Sequence, residues 1–547
     1  MDENNVKINE KKETKNIKIG VVLSYVRLII LVAVSIFYPP FLVASIGKEL
    51  NGLYQFAASI PGWLALLSLG TENAYVRFAT IAEEKGGEEE LKKVNGFFLI
   101  FFGLIALLVT LVGVGVAFAY RFDILHFESE SSDLNGLLAI LIIILVVSWA
   151  IDFATGIFAR YIYFRARFAW NQLLRILARV IIVGGAVAAC LLFKDKQIEA
   201  TIGVALATLI AQIVLDFGNA FLSIKKLKMR FSFSGGEYFK KMLGQVIVFS
   251  VFIFLVIIFN TVNLYLGRTA LGSLYTVSAV TIFAYSIQFY DYGEIISKSV
   301  SDNFAPRINR YVVQNRDEEI RKLFLRVSAI QMVIMFLVVG GFIACGREFV
   351  YAWMSKSGMV GADKDALFFM SAALLIIWLI PFCQALGVEI QRAYNKHKFI
   401  AVFNIGAAIV NIILTVVLVK FLPDDLKIYG PVIGMAVAVI AGMVVASNIY
   451  YSKVIKLPIG KFFIYFGVML LITSFAAGMT YLLYHFVKLP EDMNKWYVTI
   501  IRAVTFVVLY IPPTAIVFRK EIKAKIDAFK NRHNNNKDDE EAKTENK

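Results

Sequence analysis

Fourteen apolar segments, most of them 20 residues or longer, constrain this chain of 547 residues more than any other feature. An α-helix needs about 20 consecutive apolar residues to cross a bilayer, whereas membrane-barrel strands alternate over roughly 10 residues. Hydrophobic residues make up 59% of the chain and charged residues only 18%, too little charge to cover a soluble protein of this size. The sequence therefore predicts an all-α polytopic membrane protein. The segments are residues 21–46, 52–76, 94–120, 135–159, 172–193, 198–223, 243–266, 273–297, 327–346, 366–388, 399–420, 429–451, 462–487 and 496–518.

Positive charge is unevenly divided between the two sets of loops that join these segments. If residues 1–20 lie in the cytoplasm, alternate loops hold about 40 of the 56 Lys and Arg residues, and the opposite loops hold about 12. Because cytoplasmic loops are enriched in Lys and Arg, we expect both termini in the cytoplasm. The net charge of +15 reflects this topology. The basic residues form no continuous face of the kind that binds nucleic acid.

A pattern near the N-terminus returns after about 220 to 230 residues and indicates an internal duplication. The first copy has Gly47 followed by Asn51-Gly52-Leu53-Tyr54, and the second has Gly267 followed by Leu271-Gly272-Ser273-Leu274-Tyr275. Six helices separate the copies, so both enter the membrane in the same direction and the pseudo-twofold axis follows the membrane normal. The duplication predicts two six-helix lobes plus two C-terminal helices. The expected domains are a cytoplasmic tail (1–20), an N-lobe (21–223), a cytoplasmic linker (224–242), a C-lobe (243–452), helices 13 and 14 (453–518) and a second cytoplasmic tail (519–547), disordered at its end.

Enzyme signatures are absent from the sequence. It contains no GxxxxGK[ST] phosphate loop, no HExxH pair and no GxSxG elbow. The three cysteines stand alone in apolar segments, which predicts buried thiols rather than a metal site or disulfides. The outer loops are too short for the arginine and histidine cluster that a membrane glycan ligase or polymerase needs. We expect a transporter rather than an enzyme, with no cofactor and no metal.

Three stretches give the chain a family resemblance. They are FYPPFLVASIGKELNGLYQ (37–55), LSLGTENAYVRF (67–78) and NFAPRINRYVVQNRDEEIRKLF (303–324). With the fourteen spans and the repeat, the chain resembles the multidrug/oligosaccharidyl-lipid/polysaccharide (MOP) exporter superfamily, in particular its Wzx-like polysaccharide flippases.

The resemblance implies two helical bundles around a cavity that opens alternately to each side of the bacterial plasma (inner) membrane. It implies that an undecaprenyl-pyrophosphate-linked oligosaccharide moves from the inner to the outer leaflet for surface polysaccharide biosynthesis, with other polysaccharide assembly proteins as partners. The same fold leaves a cation-coupled multidrug exporter and a lipid II flippase open as alternatives.

Ionisable residues inside the spans are the candidate functional groups, because a charge at mid-membrane costs about 2.5 to 3.5 kcal/mol on insertion scales. Arg175 and Arg179 lie one helical turn apart and share a face, and Arg27 lies about two turns into the first span. Guanidinium groups bind phosphate oxygens bidentately and stay charged at any physiological pH. We expect these arginines to receive the lipid pyrophosphate, unless they extend to lipid headgroups and merely fix the topology.

Carboxylates in the same lobe form the second candidate group. Glu72 ends the second span, and Asp152 and Asp216 lie in the fourth and sixth spans. They are expected either to pair with the arginines or to bind a coupling ion, Na⁺ or H⁺.

Overall fold

The computed structural model describes residues 30, 33–34, 36–71, 74–131, 134–165, 167–394, 396, 398–487, 490 and 493–517. Within these ranges the regular elements are helices, and no strand is present. The helices are α1 (Ile36–Ile46), α2 (Lys48–Leu64), α3 (Ala74–Arg121), α4 (Asn135–Phe164), α5 (Phe168–Leu192), α6 (Gln197–Phe221), α7 (Gly236–Leu274), α8 (Val277–Ser301), α9 (Ala305–Val313), α10 (Asp317–Trp353), α11 (Gly361–Cys383), α12 (Ala385–Ala393), α13 (Lys398–Phe421), α14 (Asp424–Lys427), α15 (Gly430–Val439), α16 (Ser447–Tyr450), α17 (Ile459–Phe486) and α18 (Lys495–Val517).

Each of the fourteen apolar segments contains helix in the structure. Among the described residues, eleven helical stretches are long and apolar enough to cross a membrane, and α1 is a shorter apolar helix. A stretch of wide π-type turns joins α15 to α16 and extends that span to Ile455. The prediction of an all-α polytopic membrane protein is confirmed. The three cysteines, Cys190, Cys345 and Cys383, are buried free thiols, as expected.

The second apolar segment, 52–76, is divided rather than continuous. α2 ends at Leu64 and a 3₁₀ turn follows it. Leu69 and Gly70 then adopt left-handed backbone conformations, with φ angles of 52° and 69°. A glycine tolerates this conformation without strain, so the chain leaves the helix there and starts a new one.

α3 begins four residues after that break and crosses the charged loop that precedes the third span. Its only described residue with non-helical backbone is Gly87, at φ 65°. In the second copy of the repeat the corresponding stretch is a short surface helix, α9, followed by Asn315 at φ 52° and the start of α10. A polar turn that includes Asn315 and Arg316 therefore separates the surface helix from α10.

The chain divides into two compact units, each of which is discontinuous in sequence. Unit 1 comprises residues 1–287, 353–367 and 398–442, and unit 2 comprises residues 288–352, 368–397 and 443–547. In unit 1, α5 and α6 pack closely because small residues face each other. A Cβ atom on Gly185 would lie 2.8 Å from the Cβ of Ala207, and Gly203 packs against Ala189 in the same way. α4 packs against α3 on one side and α6 on the other.

The loop between α3 and α4 is fastened to the neighbouring ends of unit 1. The backbone N–H groups of Glu130 and Ser131 donate to the Glu49 carboxylate, at 2.7 and 2.8 Å. The N–H of Glu128 donates to the Gly272 carbonyl, and its own carbonyl accepts from Val277, at 2.8 and 2.9 Å. These bonds hold the start of α2 and the turn between α7 and α8 to one loop.

Unit 2 contains its own buried polar contacts. The amides of Gln384 and Asn448 donate to each other, at 2.7 and 3.2 Å. Arg502 on α18 forms an ion pair with Glu348 on α10 at 2.5 Å. These contacts tie its helices together in an apolar surrounding, where each polar group needs a partner.

Candidate functional site

Four of the six predicted site residues lie on three adjacent helices of unit 1. Arg175 and Arg179 are on α5, Asp152 is on α4 and Asp216 is on α6. α6 packs against both α4 and α5, so these residues lie on neighbouring elements. The remaining two, Arg27 and Glu72, lie outside the described residues.

One side-chain amide joins the two predicted carboxylates. The Nε2 group of Gln212 donates to Asp152 Oδ1 at 2.8 Å and to Asp216 Oδ2 at 3.0 Å. Asp216 is only 4% exposed, whereas Asp152 is exposed. Gln212 lies four residues before Asp216 on α6, so both face α4. The two carboxylates therefore form one cluster that shares a neutral donor, and such oxygen-rich clusters can bind a proton or a hard cation.

Arg175 is positioned by a chain of buried amides at the N-terminal end of α5. Its Nε donates to Asn171 Oδ1 at 2.8 Å, and Asn171 in turn donates to Asn219 of α6 at 3.5 Å. Both asparagines are buried, while Arg175 itself is exposed. The Arg175 charge lies near enough to Asp216 to act on it electrostatically. Arg175 is thus held by a neutral amide while its charge acts on one carboxylate of the cluster.

Arg179 lies one turn further along α5, about 6 Å by helical rise. Its Nε is buried and has no hydrogen-bond partner among the residues that the structure describes. The Arg179 charge acts electrostatically on two tyrosines, Tyr38 and Tyr54. Tyr54 also shares a hydrogen bond with Thr208 of α6 at 3.3 Å. A half-buried guanidinium can donate to an anionic oxygen for which water does not compete.

Arg268 is a residue of this neighbourhood that the sequence analysis did not single out. It lies within α7 and acts electrostatically on Tyr54 and on the buried Tyr285. The repeat aligns Arg268 with Lys48, since each directly follows the motif glycine. That alignment is the signal that would have identified it.

Polar groups therefore follow one another along unit 1 from Asn171 to the tyrosines around Arg179. The order along α5 is an amide, a guanidinium whose charge acts on the Asp216 carboxylate, and a second guanidinium whose charge acts on Tyr38 and Tyr54. Within apolar membrane helices, such a line of groups is typical of a route for a polar ligand.

No family model matches the sequence. A relative described as uncharacterized membrane protein EpsK, from Bacillus subtilis (strain 168), is 24% identical over 440 residues, which cover 77% of this chain and 80% of the relative. The structure of the lipid II flippase MurJ in an inward closed conformation is similar, with a TM-score of 0.63 and 17% identity over 90% of this chain and 100% of that one.

An inward-facing multidrug resistance MATE family transporter of the MOP superfamily has a TM-score of 0.60 and 15% identity, covering 76% of this chain and 94% of that one. At these identities the similarity concerns the fold. The chain thus shares the polytopic helical fold of MurJ and of a MATE family transporter of the MOP superfamily.

Proposed function

We propose that this protein is a flippase that moves an undecaprenyl-pyrophosphate-linked oligosaccharide from the inner to the outer leaflet, for surface polysaccharide biosynthesis. The observation that carries the proposal is Arg179. Its guanidinium lies near the middle of an apolar helix of 25 residues, with a buried Nε that lacks a partner among the described residues. Placing a charged group inside an apolar membrane helix costs free energy, so such a group is expected to have a function.

The chemistry of the line of groups favours a multiply charged headgroup. A pyrophosphate diester carries two negative charges, and Arg175 and Arg179 lie one turn apart on one face, a spacing that suits two linked phosphates. The hydroxyl groups of Tyr38 and Tyr54, on which the Arg179 charge acts, can donate to further oxygens. The similarity to the fold of MurJ supports the assignment, because MurJ is a lipid II flippase.

Transport follows by alternating access between two lobes, in the plasma membrane with both termini cytoplasmic. The Asp152–Gln212–Asp216 cluster is the site at which Na⁺ or H⁺ would drive the cycle. Binding of a cation there changes the charge beside Arg175, and hence the affinity of that arginine for an anion.

The carboxylate cluster also favours a second candidate, a cation-coupled multidrug exporter. Two carboxylates that share one neutral donor suit an ion-driven exchange, and the MATE fold is among the similar structures. A lipid II flippase is a third form of the same activity, with a different glycan.

The test is leaflet-resolved transport by the full-length protein in proteoliposomes. Three fluorescent substrates are compared: an undecaprenyl-pyrophosphate oligosaccharide, lipid II, and a cationic dye. We expect protein-dependent transfer of the first. Transfer of lipid II alone would assign the chain to peptidoglycan synthesis, and dye efflux without lipid transfer would assign it to the exporters and contradict the proposal.

A further inference from the structure

A groove of about 960 Å³ lies between α3 and α7, apart from the line of groups described above. α7 contributes residues at helical spacing, from Glu237 through Lys240, Lys241 and Gly244 to Phe249. The twelve helical steps from Glu237 to Phe249 correspond to about 18 Å. This face changes along its length from charged to apolar, so the groove has a polar end and an apolar end.

The polar end has a net positive charge. Lys240 and Lys241 line it together with a single carboxylate, Glu237, and a third cation of the groove, Arg77, lies further along, over Phe249. Within the described ranges, none of the three cations forms an ion pair or a side-chain hydrogen bond to another residue, and all three are exposed. Their donors are therefore available to an anion.

The apolar end is built around Phe249. The Arg77 guanidinium lies over this ring, with Cζ 4.5 Å from its centroid, and Phe78 meets the ring edge-on at 6.2 Å. Ile81 and Val248 complete the apolar wall, and Val248 is 74% exposed. An apolar surface that begins beside a cationic cluster and continues into a membrane helix matches a lipid, with its headgroup at one end and its chains at the other.

We propose that this groove binds a membrane phospholipid whose headgroup carries a net negative charge. Lys240 and Lys241 bind the headgroup, Arg77 lies over Phe249 where the headgroup gives way to the chains, and the acyl chains lie along Phe78 and Val248. The loops on this side of the bundle are those that the distribution of charge assigns to the cytoplasm, so the lipid comes from the inner leaflet. The volume accommodates a headgroup and the upper part of two chains.

Gly244 allows the groove to be filled without changing its charge. A Cβ atom there would have no neighbour within 4 Å, and the residue is helical. Gly244→Leu is therefore expected to fold normally, while its side chain occupies the space between the cations and the apolar wall.

Native mass spectrometry of the full-length protein in detergent tests the proposal by titration with phosphatidylglycerol and with phosphatidylcholine of the same chains. The variants are K240Q/K241Q and G244L. The matched control is K225Q/K226Q, which removes the same charge from two consecutive lysines that do not line the groove. We expect phosphatidylglycerol to bind more tightly, and both groove variants to weaken it at least about tenfold. The control should stay within about twofold of the wild type.

Equal affinity for the two lipids, or equal loss in K240Q/K241Q and the control, would overturn the proposal. If G244L bound phosphatidylglycerol as tightly as the wild type, the lipid would have to lie elsewhere, and this result would also overturn the proposal. Displacement of the lipid by glycerol 3-phosphate at equal concentration would show that the acyl chains contribute nothing to binding, and it too would overturn the proposal. The titration involves neither transport nor a lipid-linked oligosaccharide, so its outcome is independent of the proposed function.

Discussion

Replacing Gly52 of the first repeat copy by alanine tests how closely the two copies of the repeat pack in unit 1. A Cβ atom at this position would overlap the carbonyl oxygen of Val277 and lie 2.7 Å from its carbonyl carbon. Ordinary carbon contacts need about 3.5 Å or more, and the Val277 carbonyl oxygen would lie only 1.7 Å from the new Cβ atom, so the start of α8 has to move by well over 1 Å. The carbonyl group belongs to the backbone, so the conflict cannot be relieved by a side-chain rotation.

The cost follows from the hydrogen bonds around this contact. Asn51 donates to Thr281 at 3.1 Å and accepts from Tyr285 at 3.1 Å, while Thr281 donates to the Lys48 carbonyl at 2.7 Å. A displacement of more than 1 Å takes all three beyond bonding distance. Each buried bond contributes about 1 kcal/mol, and alanine returns about 0.5–1 kcal/mol through helix propensity. The expected net destabilisation is therefore about 2 kcal/mol.

The assay is the melting temperature of purified protein in detergent, followed by tryptophan fluorescence. The matched control is Gly184→Ala in α5, where a Cβ atom would have no neighbour within 4 Å. We expect Gly52→Ala to melt at least about 2 °C below the wild type, and Gly184→Ala to melt at or above it. Equal melting temperatures for the two variants would refute the packing argument.

Two further substitutions test side-chain hydrogen bonds. Gln212→Leu removes the donor that two carboxylates share, and we expect weaker transport and an altered dependence on Na⁺ or pH; unchanged ion dependence would argue against coupling at this cluster. Tyr75→Phe removes the hydroxyl that donates to Asn95 at 2.7 Å. We expect a loss of about 1–2 kcal/mol, seen as a lower melting temperature than that of the exposed control Tyr497→Phe. Equal melting temperatures for Tyr75→Phe and Tyr497→Phe would contradict a stabilising role for this hydrogen bond.

The helices were the predictable part of this fold, because a span needs only length and apolarity. All fourteen segments contain helix, since a bilayer leaves the backbone few alternatives. The break at Leu69 and Gly70 was not predicted, because the sequence around it is as apolar as the helix before it. Backbone conformation there is set by packing in three dimensions, which hydropathy does not record.

The two copies of the repeat show why Arg268 was missed. The apolar segments 243–266 and 273–297 leave Gly267 and Arg268 between them, in an expected loop. In the first copy the corresponding glycine, Gly47, does follow the end of α1, with a φ of 84°. Gly267 instead continues α7, and its missing side chain makes room for the ring of Phe283. The same residue type serves a turn in one copy and close packing in the other, so Arg268 lies in a helix rather than in a loop.

The site was predictable in its charges and not in its neutral partners. Charged residues in apolar spans are rare enough to identify Arg175, Arg179, Asp152 and Asp216 by inspection. Gln212 could not be identified in this way, because amides are common in such helices. Its role depends on the packing of α4 against α6, which brings Asp152 within reach.

The most direct measurement of the central claim is transfer of the undecaprenyl-pyrophosphate oligosaccharide in proteoliposomes by R175Q/R179Q. The matched control is R310Q/R316Q, which removes two exposed arginines from α9 and the turn after it. Because hydrogen bonds to charged groups contribute about 1.5–3 kcal/mol each, we expect the site variant to lose at least tenfold in rate, about the effect of one such bond. The control should retain the wild-type rate. Equal rates for the two variants would contradict the assignment of the pyrophosphate to Arg175 and Arg179.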